Sequence, residues 1–249
     1  MDATVWIYSL LSVLVVSLVA LVGIFALSLS GRFLSKLLLF LVSFSAGSLF
    51  GDAFFHLIPE AAEDGFKLTI PVYLLIGLLL FFILEKFIHW RHCHVPTSKS
   101  HPHPVGLMNL VGDGFHNLID GLVIGGAYLA SIPLGLTTTL AVLFHEIPQE
   151  IGDFGVLIHA GYNKTKALLL NFVSALAAVL GALIALVIGS RVAGFSEFLI
   201  PFTAGGFIYI AGSDLIPELH KEVKPSRSFF QFIALLLGLL LMLAFTLLE

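Results

Sequence analysis

Two short strings, HNLID at His116 to Asp120 and HEIPQE at His145 to Glu150, set His116, Asn117, Asp120, His145, Glu146, Gln149 and Glu150 inside otherwise apolar stretches. Imidazole, carboxylate and amide oxygen make a donor set of borderline hardness. Such a set suits zinc and iron(II) better than copper(I), which prefers the sulfur that neither string contains. On a helix, His116 and Asp120 are four residues apart and share a face, while Asn117 turns about 100° away. His145 with Gln149 and Glu146 with Glu150 repeat the spacing. Pro148 denies its helix one donor, freeing a carbonyl and inviting a kink. Polar pairing between helices would account for one such residue. For two imidazoles, three carboxylates and two amides at one depth, burial without a cation would crowd like charges and force protonation.

The 249 residues are 58% hydrophobic and 11% charged, with a mean hydropathy of +1.04. That composition describes a polytopic membrane protein whose partner is the lipid bilayer and excludes nucleic acid as a partner. Ionisable groups at bilayer depth cost several kcal/mol unless paired, watered or metal-bound, so the two strings read as a functional site. A lone Cys93 excludes an intrachain disulfide, and the first thirty residues lack the basic start and small-residue cleavage site of a signal peptide, so the first span is expected to be retained.

About twenty apolar residues cross the hydrocarbon core, and eight stretches meet or approach that: 5–29, 36–59, 70–90, 106–130, 134–160, 166–190, 196–217 and 228–248. Continuous apolar runs predict helices rather than a membrane barrel. The chain is thus expected to be an all-α membrane protein, one polytopic domain over 1–249. Loops after spans one, three, five and seven hold ten of the twelve basic residues, with only Lys67 and Arg191 opposite. That positive-inside bias predicts both termini on the extracytoplasmic side, in a plasma or bacterial inner membrane.

Phe44 to Glu60, FSAGSLFGDAFFHLIPE, aligns without gaps on Phe202 to Glu218, FTAGGFIYIAGSDLIPE. The two segments sit five crossings apart, so they run in opposite directions, as in an inverted repeat. The expected arrangement is 3+2+3: spans 1–3 and 6–8 repeat around central spans 4 and 5, with the substrate site near the midplane. The link from Ala130 to Pro133 is short enough to make spans four and five antiparallel neighbours whose strings lie at matching heights.

With these residues in place the chain resembles the ZIP family of metal transporters, in the branch whose fourth and fifth spans read HNxxDG and HExPHE. HNLIDG, HEIPQEIGDF, FHLIPE at Phe55 to Glu60 and SDLIPEL at Ser213 to Leu219 carry the resemblance over nearly the whole chain. It implies uptake of zinc, iron or manganese into the cytoplasm, eight spans with both termini outside, and a homodimer. It implies a first metal position at His116, Asp120, His145 and Gln149 and a second at Asn117, Glu146 and Glu150, so that two ions sit at the midplane. Gln149 stands where close relatives often carry His, a harder ligand set that widens the expected range from zinc to iron(II), manganese or cadmium.

Asp52, His56 and Glu60 follow at i, i+4 steps in the outer half of span two and are expected to form the approach for the ion. Asp113, Asp153, Asp214 and Glu218, on the cytoplasmic side, are expected to serve release, with pairing to Lys221 the alternative for the last two. The cytoplasmic loop 91–104 carries His92, His94, His101 and His103 with Cys93, a tract able to bind metal, while His159 reads as interfacial. Ala177, Gly181 and Ala185 give span six a small-residue face, and Asn171 on that span is within reach of the site. Two other classes share these ligands. An intramembrane zinc hydrolase would use HExx as half of a zincin string, and an efflux transporter would run the same site in reverse. The first lacks its second His, because position 149 is Gln.

Overall fold

The structure, a computed structural model, describes residues 3–23, 31–89, 104–189, 191–192 and 194–247. Among them every regular element is helical and no strand occurs. In chain order these are α1 (Ala3–Leu18), running into a 3-10 turn (Val19–Val22); α2 (Gly31–Asp52), a π turn (Ala53–Leu57) and α3 (Ile58–Ala61); and α4 (Thr69–His89). Then follow α5 (Pro104–Ala130), α6 (Ile132–His159), α7 (Lys164–Ala175) and α8 (Ala177–Gly189). The chain closes with α9 (Phe195–Tyr209), a π turn (Ile210–Leu215), α10 (Ile216–His220) and α11 (Pro225–Phe245). The His-bearing loop 91–104 lies outside the described residues up to Pro104, which starts α5.

Six of the resulting rods are long and apolar enough to cross a membrane. The two that fall short are α5 and α6, whose apolar runs are interrupted by the two polar strings. The link between them is a single residue, Ser131, whose Oγ accepts from Leu134 N at 3.2 Å and caps α6. With Pro133 in the first turn, this stops one helix and starts its antiparallel neighbour. Further on, α6 stays helical through Pro148.

Span two of the sequence reading is not one regular helix, and neither is span seven. Each contains a π turn ending two residues before a proline, Pro59 in one and Pro217 in the other. Proline has no N–H and its ring crowds the carbonyl four residues earlier, here that of Phe55 or Ser213, and local widening of the helix relieves both. The two π turns occupy equivalent places in the aligned segments, since Leu57 corresponds to Leu215.

Packing repeats in the same way. Helix α2 lies along α11, and α9 lies along α4. Gly47 and Gly238 allow the first contact: a Cβ on Gly47 would come within 2.0 Å of Leu235 O, and one on Gly238 within 2.2 Å of Phe44 O. Gly205 and Gly77 allow the second, with a Cβ 1.9 Å from Leu74 O or 2.0 Å from Phe202 O. Gly47 and Gly205 are the shared glycines of the aligned AG pair. A third close pairing joins α5 to α8, where Gly181 and Ala185 are buried against Leu118 and Gly125. Several hydroxyls inside the bundle bond to carbonyls of their own or another helix, whereas Ser9 Oγ is buried without a hydrogen-bond partner among the described residues. Ser43 Oγ donates to Leu39 O at 2.7 Å and Ser17 Oγ to Ala175 O at 2.8 Å, tying α1 to α7, as an apolar surround requires.

Candidate metal centre

Helices α5 and α6 bring His116, Asp120, His145 and Glu146 together, with one ligand atom from each lying within 4.8 Å of all the others. The two Nε2 atoms are 3.2 Å apart. His116 Nε2 lies 3.6 Å from Asp120 Oδ2 and 3.4 Å from Glu146 Oε1, and His145 Nε2 lies 3.3 and 3.5 Å from the same two oxygens. For a tetrahedral zinc ion with bonds of about 2.0–2.2 Å, the ligand atoms sit roughly 3.3–3.6 Å apart. Five of the group's six edges therefore have the lengths of a four-coordinate site.

Burial and orientation agree with that geometry. Asp120 and Glu146 are fully buried and His145 nearly so, and none of the four oxygens of Asp120 and Glu146 has a hydrogen-bond partner. Buried carboxylate oxygens are ordinarily satisfied. His145 Nδ1 donates to Ala141 O at 3.2 Å, so a neutral ring carries its lone pair on Nε2, facing the cluster.

One turn toward the basic end of the bundle, a carboxylate oxygen from each of Asp113, Glu150 and Asp153 lies within 4.8 Å of the other two. These acids are held by neutral donors. Asn117 Nδ2 donates to Asp113 Oδ1 at 2.9 Å, Ser174 Oγ to Asp113 Oδ2 at 2.5 Å, Asn171 Nδ2 to Glu150 Oε2 at 2.5 Å and Asn109 Nδ2 to Asp153 Oδ1 at 3.0 Å.

The sequence grouping and the structure differ in detail. Glu146, assigned by resemblance to the second position, stands with His116, Asp120 and His145. Gln149, assigned to the first, borders the two cavities that adjoin His116 and His145. Asn117 and Glu150 stand together with Asp113. The cavity beside His116 has a volume of about 320 Å³ and is bordered by Asp113, Gln149 and Asp153, then by Glu85 and Asp214. A second, of about 470 Å³, leads from His145 past Asp214 to Glu218 and Lys221.

Both cavities open toward one end. At the other end Asp52 and His56 are buried: Thr138 Oγ1 donates to Asp52 Oδ2 at 3.2 Å and His56 Nε2 to Met242 O at 2.9 Å. Glu60 is half-buried on α3. At the basic end Lys221 pairs with Glu218. Beyond it a hydrogen bond from Arg227, at 2.8 Å, holds the partly buried Glu222 carboxyl below the usual carboxylate range.

Sequence reasoning left out Asn109, Ser174, Glu85 and Tyr209, whose hydroxyl donates to Glu85. Glu85 carried a usable signal, being the one acid within span three. Asn109 and Ser174 carried none, because their partners are on other helices.

Comparison with known proteins gives one consistent answer. The family model described as ZIP Zinc transporter matches residues 3–106 and 92–246. Zinc transporter zipt-7.1 of Caenorhabditis briggsae is 32% identical, over 98% of this chain and 80% of its own length. Zinc transporter SLC39A7 of Homo sapiens is 31% identical over 99% of this chain and 72% of its own, and Zinc transporter ZIP13 of Pongo abelii 35% identical over 83% and 66%.

Proposed function

The chain belongs to the ZIP zinc transporter family, and from that premise we propose that it moves zinc and related divalent cations across a membrane into the cytoplasm by way of His116, Asp120, His145 and Glu146. The observation that carries the proposal is the convergence of two Nε2 atoms and two buried carboxylates whose oxygens have no hydrogen-bond partner, with five of the six ligand-atom separations at 3.2–3.6 Å. A site for passage needs ligands that converge without being consumed by one another.

The proposed topology is eight crossings in a 3+2+3 arrangement. Its support is the paired π turns, the Gly47–Gly238 and Gly205–Gly77 contacts, and the central place of α5 and α6. The ion would approach past Glu60, His56 and Asp52, rest at the His-bearing cluster with a second ion beside Asn117 and Glu150, and leave past Asp113, Asp153, Asp214 and Glu218. Cavities reaching the cluster from the basic end support an inward-facing state. Asymmetry of Lys and Arg supports extracytoplasmic termini, and inward passage follows from the family resemblance. The homodimer follows from the resemblance. The relatives' names as zinc transporters set the hydrolase aside.

Uptake of radioactive zinc into oriented proteoliposomes tests this, with the native chain beside His116→Ala and Glu150→Ala. Inward flux lost in both variants is the expected result. Metal bound without flux in the native chain, or flux only outward, would overturn it.

A further inference from the structure

Asn171 and Ser174 lie one turn apart on α7, which belongs to neither motif helix, yet each donates to an acid beside the ion site. Asn171 is fully buried. Its Nδ2 meets acceptors only: Glu150 Oε2 at 2.5 Å, Glu150 O at 3.3 Å and, across the bundle, Ala20 O at 3.5 Å. The amino end of the amide must face this group. One Glu150 oxygen is thereby occupied, and the other, Oε1, is buried with no hydrogen-bond partner.

Ser174 acts one residue further away. Its single hydroxyl proton is within reach of Asp113 Oδ2 at 2.5 Å, Asn171 O at 2.9 Å and Leu170 O at 3.2 Å, and a charged acceptor makes the stronger bond. The opposite oxygen of Asp113 receives Asn117 Nδ2 at 2.9 Å, and Asp113 O lies 3.2 Å from the same nitrogen. Asn117 therefore points its amino end at Asp113, leaving its carbonyl Oδ1 buried and without a hydrogen bond. The result is a chain from Ser174 to Asp113 to Asn117, beside a direct bond from Asn171 to Glu150.

We propose that Asn171 and Ser174 are positioning residues that decide which oxygen atoms Glu150 and Asn117 present to the cation. Asn171 makes Glu150 a one-oxygen ligand. Ser174 fixes Asp113 as the clamp that turns the Asn117 carbonyl outward, which gives Asp113 a holding role in addition to its place on the release path. Helix α7 is itself anchored, since Ala175 O accepts from Ser17 Oγ of α1 at 2.8 Å. Partners that orient metal ligands from outside commonly change affinity by about 10–100-fold when removed. The inference rests on the proposed transport reading for the identity of the ion, but not for its geometry.

The test compares Asn171→Ala, Ser174→Ala and Ser174→Thr with the native chain, measuring zinc uptake against concentration in proteoliposomes, equilibrium zinc binding to the purified proteins, and the unfolding midpoint. Half-saturating zinc is expected to rise about 10-fold in Asn171→Ala and several-fold in Ser174→Ala, with Ser174→Thr close to native because it keeps the hydroxyl. The unfolding midpoint should stay near native in both Ser174 variants. Unchanged half-saturation in the alanine variants would overturn the inference, as would Ser174→Thr failing as badly as Ser174→Ala, which would mark a packing role. Should Asn171→Ala not fold, the two Ser174 variants decide alone. If the native protein binds zinc without taking it up, the transport reading falls by itself, and the same comparison in equilibrium binding decides this inference.

Discussion

Two clusters on the same pair of helices, one turn apart, are built on opposite plans. In the first, His116, Asp120, His145 and Glu146 face one another, and the four carboxylate oxygens accept no hydrogen bond. In the second, Asp113, Glu150 and Asp153 each accept from an amide, and Asp113 from a hydroxyl as well. The contrast separates two tasks. Carboxylates with both oxygens bare in a buried site keep their full attraction for a cation, whereas acids with at least one oxygen already satisfied by a neutral donor tolerate its absence better and release it more readily. The first cluster is thus suited to selecting the ion, and the second to passing it on.

The sharpest way to break this contrast is to remove a ligand from the first cluster. His145→Ala or Glu146→Ala is expected to weaken zinc binding by at least about 100-fold, the top of the range seen when only an orienting partner is lost. Titration of the purified protein with radioactive zinc measures it. A loss no larger than that of Asp153→Asn would show that the two clusters do not differ in kind. Next in size comes the backbone that sets the clusters at matching heights. A Cβ on Gly121 would lie 1.9 Å from Ala178 O, so Gly121→Val must part α5 from α8. Overpacking of this sort costs about 1–3 kcal/mol, and the expected outcome is a lowered unfolding midpoint with zinc affinity reduced in proportion.

Much of the framework was legible before any coordinates. Apolar run lengths marked the helices, and the one-residue gap at Ser131 follows from the short link between the two polar strings. The aligned AG and LIPE frames pointed to paired segments whose glycines make equivalent contacts. What could not be read was tertiary. The i, i+4 rule grouped His145 with Gln149, yet adjacent His145 and Glu146 both reach the cluster, because two long side chains only 100° apart converge when the facing helix is close. Asn171 could be placed within reach of the site but not given a partner, and Asn109 and Ser174 were visible only as polar residues on apolar helices. The π turns left no trace in the sequence beyond Pro59 and Pro217, since hydrophobic periodicity cannot register one extra residue in a turn. The histidines at 92, 94, 101 and 103 lie outside the described residues.

Gln149 probes the border between the clusters, because it lines both cavities, one beside His116 and Asp113 and the other beside His145. Gln149→His would add an imidazole at the mouth of the first cluster, and imidazole favours zinc over manganese. The expected change in the ratio of zinc to manganese half-saturation is about tenfold toward zinc, equivalent to about 1.4 kcal/mol. Competition uptake measures it, and an unchanged ratio would mean that selection is complete at the four atoms already in contact.

The smallest effect separates holding from passing. Asp153 accepts from Asn109 through Oδ1, and its Oδ2 has no hydrogen-bond partner, so Asp153→Asn keeps the shape of the second cluster while removing one charge. If that cluster passes the ion on, half-saturating zinc should stay near native while the maximal rate falls by about two- to threefold, since a single charge near a polar cavity is worth on the order of 0.5 kcal/mol of attraction. Rates at saturating zinc in proteoliposomes report it. A rise in half-saturation with the rate preserved would instead place Asp153 among the residues that hold the ion, and the division between the two clusters would dissolve.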